Sequence, residues 1–219
     1  MAENENQKLL NDINQKVFHI ENAYLVRREV YLHFNKAVNA DAAEAYLKVI
    51  TSHKGFFLPL LEGALSYTMN NLNRLVSSND KKSLEKVINK MQAAGEGNFT
   101  ADLEKLRQKH NTTLKTITEL RMDYFAHLGD VDLKTINTVS EDDYIKLFED
   151  VKDLVNKLNN VYGNTVWYMD GDAREAIKDT HDLMNNLLRG EASRISEIDV
   201  EYISGVFSDG KSKWLKSAE

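Results

Sequence analysis

The chain has 219 residues, 42% of them hydrophobic and 28% charged, a balance that fits a globular fold; disorder requires too little apolar surface to offset chain entropy. A formal net charge of −6 argues against a general nucleic-acid coat, because phosphate binding draws on massed Lys and Arg. The lack of cysteine excludes disulfides, thiolate metal sites and a cysteine nucleophile, and a single proline, Pro59, leaves long helices uninterrupted.

From Leu10 to Val38 apolar residues repeat at heptad spacing: Leu10, Val17, Tyr24, Tyr31 and Val38 form one column, and Ile13, Ile20 and Phe34 the next. That period predicts one long N-terminal helix within residues 1–38. Arg27 interrupts the second column, where its stem can snorkel to solvent or its guanidinium can meet a buried partner. Asp41 with Glu44 has the form of a capping box and opens a second helix that ends between His53 and Gly55. Pro59 opens a third through Leu61, Leu65, Leu72 and Val76, since a first turn tolerates proline. Asp80 is positioned to cap a fourth, carrying Leu84, Val87, Ile88 and Met91 and closed by Gly95 and Gly97.

A central helix begins near Thr100 and ends at Gly129, with Leu103, Leu106, His110, Leu114, Ile117, Leu120 and Tyr124 in one stripe. Ser140 with Asp143 is another capping box, ahead of a helix bearing Ile145, Phe148, Val151, Val155, Leu158 and Tyr162 that stops at Gly163. A last helix runs from near Asp172 to Leu188 and ends at Gly190. The expected fold is therefore all-α, a bundle of about seven amphipathic helices in a single domain, 1–219, with a motif-bearing core at 100–190 and a tail of mixed pattern at 191–219. No apolar run approaches the roughly 20 residues that cross a bilayer, and Met1 to Asn6 lack the basic start of an export signal. The expectation is a cytoplasmic protein with no membrane partner.

Gly205 to Ser212 matches the phosphate-loop pattern letter by letter. Such a loop works between a strand and a helix of a parallel sheet, which an all-α chain does not provide, so the match is read as chance. None of the histidines, His19, His33, His53, His110, His127 and His181, has a Glu three residues before it, the pattern of helical di-metal centres. Glu29 stands four before His33 and Asp123 four before His127, spacings that serve a hydrogen bond, and neither a metal nor a cofactor is expected.

On a regular helix Arg121 and His127 stand about 120° apart and about 9 Å along the axis. A long Arg side chain can close part of that gap, or two copies of the helix can complete each other across a dimer. Asp123 lies one turn before His127 on its face, where a carboxylate orients the imidazole and favours its charged form; the helix end at Gly129 acts in the same direction. Cutting RNA without a metal needs a base for the ribose 2′-hydroxyl, an acid for the leaving oxygen and a cation beside the phosphorane, roles that His and Arg can fill. As bare spacing the pair is common, and it reads first as an ordinary capping histidine.

Read as Arg-x-x-x-Phe-Ala-His-Leu at a helix end, Arg121 to Leu128 resembles the signature of the HEPN superfamily, and is most similar to its abortive-infection U-type branch. The resemblance implies an HEPN-like helical core and a metal-independent endoribonuclease, a toxin or phage-defence effector that acts on RNA as a homodimer and can be held by an antitoxin protein. Carried over by position, Arg121 and His127 would be catalytic, with Asp123 and Tyr124 in support. Two positions depart from the pattern: Met122 stands where the family often has its polar residue, and Gly129 where some members carry a Tyr. Lys105, Arg107, Lys109 and Lys115 ride on the same predicted helix as candidate RNA contacts, an ordinary solvated face being the alternative. The competing expectation is a non-catalytic HEPN-like protein that binds RNA or a protein partner such as an antitoxin.

Overall fold

A computed structural model describes residues 5–77, 80–121, 139–163 and 169–197. The fold is all-α: among the described residues there are eight helices and no strand. They are α1 (Glu5–Phe34), α2 (Ala43–Ser52), α3 (Lys54–Val76), α4 (Leu84–Ala93), α5 (Thr100–Lys109), α6 (Asn111–Glu119), α7 (Glu141–Asn160) and α8 (Met169–Glu197). No helix among these residues is long and apolar enough to cross a membrane. The described residues gather into two compact units, one lying within 1–28 and 58–177, the other within 29–57 and 178–219.

The first unit is organised by its apolar columns. Leu10, Ile13, Val17 and Ile20 of α1 are fully buried in one cluster with Leu72 and Leu75 of α3, Leu84 of α4, Leu103 of α5, Ile117 of α6 and Leu147 and Val151 of α7. Each such side chain contributes about 1.5–3 kcal/mol by leaving water, which is what fixes which face of each helix turns inward. One polar pair shares this interior: Asn14 and Asn159 exchange amide bonds of 3.0 and 2.9 Å, and Asn159 Nδ2 also donates to the Val155 carbonyl. Glu21 is buried and takes Lys152 Nζ at 2.7 Å.

Several boundaries depart from the sequence expectation. The heptad pattern predicts helix as far as residue 38, yet α1 stops at Phe34, because the Asn35 side chain accepts the Ala37 N–H at 3.0 Å and turns the chain locally. Asp41 does not cap α2; Ala42 holds that position without a side-chain bond. The third helix starts at Lys54 and contains Pro59, since the His53 carbonyl accepts from the Phe56 and Phe57 N–H groups and a new helix begins directly after α2. Ser83 caps α4 in place of Asp80, its Oγ accepting from the Lys86 N–H, while Asp80 accepts from the Lys82 N–H and from Arg74. Ser140 caps α7 as expected, accepting from the Asp143 N–H at 3.1 Å. Gly163 follows α7 with φ +65°. Gly190 does not end α8, which continues to Glu197.

The predicted central helix is two helices. His110 lies between α5 and α6 with φ −109° and ψ 22°, outside helical geometry, and its ring is buried. A buried imidazole needs a polar partner, and Asp150 of α7 supplies one, with Oδ2 2.6 Å from His110 Nε2 and 2.6 Å from Lys109 Nζ. Burial alone would raise the Asp150 carboxyl, but the hydrogen bonds from Lys109 and His110 outweigh it and hold the group below the ordinary carboxylate range.

Candidate functional site

The motif region begins where α6 ends. After Glu119, Leu120 keeps α-helical backbone angles, φ −55° and ψ −41°, with its N–H directed to the Thr116 and Ile117 carbonyls. Arg121 is exposed, and its Nη1 donates to Asn73 Oδ1 of α3 at 3.3 Å. Asn73 is itself buried and fixed from the other side, because its Nδ2 donates to Thr118 Oγ1 at 2.6 Å. The Thr118 hydroxyl donates its proton to the Leu114 carbonyl at 2.8 Å, so it can only accept from Asn73. That sequence of donors decides the amide orientation and leaves the Asn73 oxygen facing the guanidinium. A buried amide thereby holds the first residue of the motif from a neighbouring helix.

Over residues 10–190, well over half of the 219 residues, the sequence matches the HEPN family AbiU2. The chain belongs to the AbiU2 family of HEPN domains. No curated protein and no solved structure matches it. Membership carries the abortive-infection type of function and agrees with the all-α fold. The matched span contains the whole Arg121 to Leu128 motif.

Of the motif residues named from the sequence, Arg121 is the one within the described part of this HEPN domain; Asp123, Tyr124 and His127 lie outside it, as does the phosphate-loop match at Gly205 to Ser212. The basic residues divide by environment. Arg107 has a structural role, since its Nε and Nη2 donate to the Val76 carbonyl at 3.0 and 2.7 Å and satisfy an orphan acceptor at the end of α3, while Glu85 and Glu104 bind the remaining fork. Lys109 is paired with Asp150, and Lys115 stands 3.8 Å from Glu119 one turn away. Lys105 is exposed. A guanidinium held by three partners is poorly placed to give up those bonds for a phosphate.

The first unit also carries a polar groove of about 290 Å³, lined among others by Asp12, Lys16, His19, Arg74, Asp80 and Lys82. Its charges answer one another: Arg74 binds Asp80 at 2.5 Å and Lys82 binds Asp12 at 2.9 Å. Burial lowers the Lys16 amine, opposed by the nearby Asp80 carboxylate. One group of metal-ligating type occurs among the described residues, Glu29, His33 and His181, and it belongs to the second unit. Neither Asn73 nor His181 was marked by sequence. Asn73 reads as one polar residue among several on α3, and His181 has no ligand-type residue at helical spacing that would single it out.

Proposed function

We propose that this AbiU2 domain is a metal-independent endoribonuclease of HEPN type that serves abortive infection or phage defence. The observation that carries the reading is the family match across residues 10–190, inside which an Arg and a His stand at HEPN spacing in the run Arg121 to Leu128. In this reading the ribose 2′-hydroxyl oxygen attacks the adjacent phosphorus while His127 takes part in moving its proton. The bond from phosphorus to the 5′-oxygen breaks, that oxygen gains a proton, and the products are a 2′,3′-cyclic phosphate and a 5′-hydroxyl. Arg121 stabilises the charge on the phosphorane, the part of the reaction that a fixed cation serves best. Asn73 is a positioning residue: it holds the guanidinium at 3.3 Å without neutralising the Arg charge, because an amide oxygen carries no net charge. Two copies meeting as a homodimer in the cytoplasm would bring two Arg and His pairs to one cleft.

The acidic net charge of −6 and the engagement of Arg107 and Lys109 favour a second reading, a non-catalytic protein that keeps the bundle and meets a protein partner such as an antitoxin. Incubating the purified chain with single-stranded RNA in excess chelator separates the two. The nuclease reading expects cleavage with cyclic phosphate ends, reduced by about 100-fold or more in His127→Ala and in Arg121→Ala. Intact RNA with the wild type, or equal cleavage by all three proteins, overturns it. Asn73→Ala would lower the rate less than Arg121→Ala if Asn73 acts only through the guanidinium.

A further inference from the structure

We propose that Glu29, His33 and His181 form a binding site for a divalent transition-metal ion of the zinc type. Their potential ligand atoms all lie within 4.8 Å of one another, although His181 is far from the other two in sequence. The site is assembled within the second unit from the last turns of α1 and from α8 beyond Lys178.

Three features of the geometry support an ion rather than a chance meeting of side chains. His33 Nδ1 lies 2.8 Å from the Glu29 backbone carbonyl, an acceptor only, so this nitrogen carries the proton and Nε2 presents its lone pair. A histidine held through one nitrogen by a carbonyl is the arrangement by which proteins orient a metal-binding imidazole. That Nε2 accepts a hydrogen bond from His181 Nδ1–H at 3.1 Å, which a bound ion would replace. Two nitrogens each bound at the zinc distance and subtending a tetrahedral angle are about 3.3 Å apart, so the imidazoles already have nearly the separation of two ligands on one ion. Glu29 Oε1 is 3.9 Å from His181 Nδ1, within reach of a small carboxylate rotation.

Burial grades across the three residues. The side chain of His33 is 5% exposed and that of Glu29 15%, whereas His181 is 55% exposed. Two ligands are therefore held by packing and one closes from solvent, which gives an ion a path of entry and leaves a coordination position for water. The supporting shell is also in place. The Tyr46 ring meets His33 edge-on at 4.8 Å, and the Tyr46 hydroxyl donates to Asn185 Oδ1 at 2.5 Å, one turn beyond His181. Asn39 Nδ2 donates to the His33 carbonyl at 3.1 Å. When the ion enters, the Nδ1 proton of His181 is lost to solvent and Nε2 carries the single proton of the ring, so both imidazoles remain neutral while His181 binds through Nδ1. Two imidazoles and one carboxylate suit zinc, nickel or cobalt and are poor ligands for magnesium or calcium, which take oxygen.

The test uses the full chain without a histidine tag, stripped with chelator and dialysed. Titration with zinc chloride, followed by calorimetry and by metal analysis after gel filtration, is expected to show one ion per chain; cobalt added in its place is expected to give the visible absorption of a four-coordinate site. His181→Ala, a change at an exposed position, should weaken binding by about 10-fold or more while leaving the far-ultraviolet dichroism unchanged, and Glu29→Gln should also weaken it. Absence of stoichiometric zinc, or zinc bound equally by wild type and both variants, overturns the assignment. Magnesium chloride is expected to bind in none of them. Because binding and spectra are read rather than RNA cleavage, the result is independent of the nuclease proposal.

Discussion

The first unit closes around apolar side chains contributed by six helices, with Leu10, Leu72, Leu84, Ile117 and Leu147 fully buried, whereas the second sets a polar group, His33, Tyr46, Asn185 and the exposed His181, beside its apolar residues. In the second unit Val30, Val49, Phe57 and Met184 are buried, but Leu47, Phe56 and Leu183 are about half exposed. Apolar packing is non-directional, so it favours any arrangement that removes enough surface from water. A polar centre yields only about 1 kcal/mol per satisfied hydrogen bond and is costly when a partner is missing. In the second region a bound ion would add stability according to its affinity for the folded chain.

This contrast can be broken at its strong end. Leu72→Ala removes a fully buried side chain from the first unit's cluster and is expected to cost about 3 kcal/mol in urea unfolding; a loss below about 1 kcal/mol would mean that the cluster is loosely packed. An intermediate effect is expected at Asp150→Asn, about 1 kcal/mol at neutral pH, because Lys109 and the buried His110 lose a charged acceptor. The direction with pH follows from the lowered carboxyl: its contribution is fully present above the unfolded value of about 3.9 and disappears as pH falls through the folded one. Unfolding midpoints measured from pH 7 to pH 2 should show a shallower acid loss in Asp150→Asn than in the wild type, and equal slopes would show that the carboxylate contributes nothing. The smallest change is expected in the second unit. Tyr46→Phe deletes the bond to Asn185, whose side chain is partly open to water, and should lower stability by at most about 1 kcal/mol, seen as faster amide exchange in α2.

The fold was legible over much of the chain, although the heptad column that begins in α1 fails at Tyr31 and Val38, which are exposed. The heptad columns placed Leu10, Ile13, Val17 and Ile20 in the core, and the four residues named for α4, Leu84, Val87, Ile88 and Met91, are all buried there. Caps were less legible, since Asp80 and Ser83 are both suitable N-caps by residue type and the choice between them rests on where the chain enters the helix. The same holds for Arg107 and His110. The sequence puts one on a basic face and the other in an apolar stripe, and only the neighbouring helices show that Arg107 caps α3 and His110 meets Asp150. Of the candidate site, the letters of Arg121 to Leu128 were enough to indicate the family, but Asn73 beside Arg121 was not foreseen.

By itself, then, the sequence determined the helical class, most of the inward faces and the HEPN motif, because periodicity and local motifs are properties of adjacent residues. Tertiary structure alone decided which distant side chains meet: Asn73 with Arg121, Asp150 with His110, and His181 with the Glu29 and His33 pair that the sequence could read only as a hydrogen-bond spacing. The physical reason is range. A helix fixes its own neighbours every three or four residues, whereas a polar contact between helices depends on how whole faces pack, and no local pattern in the chain encodes that.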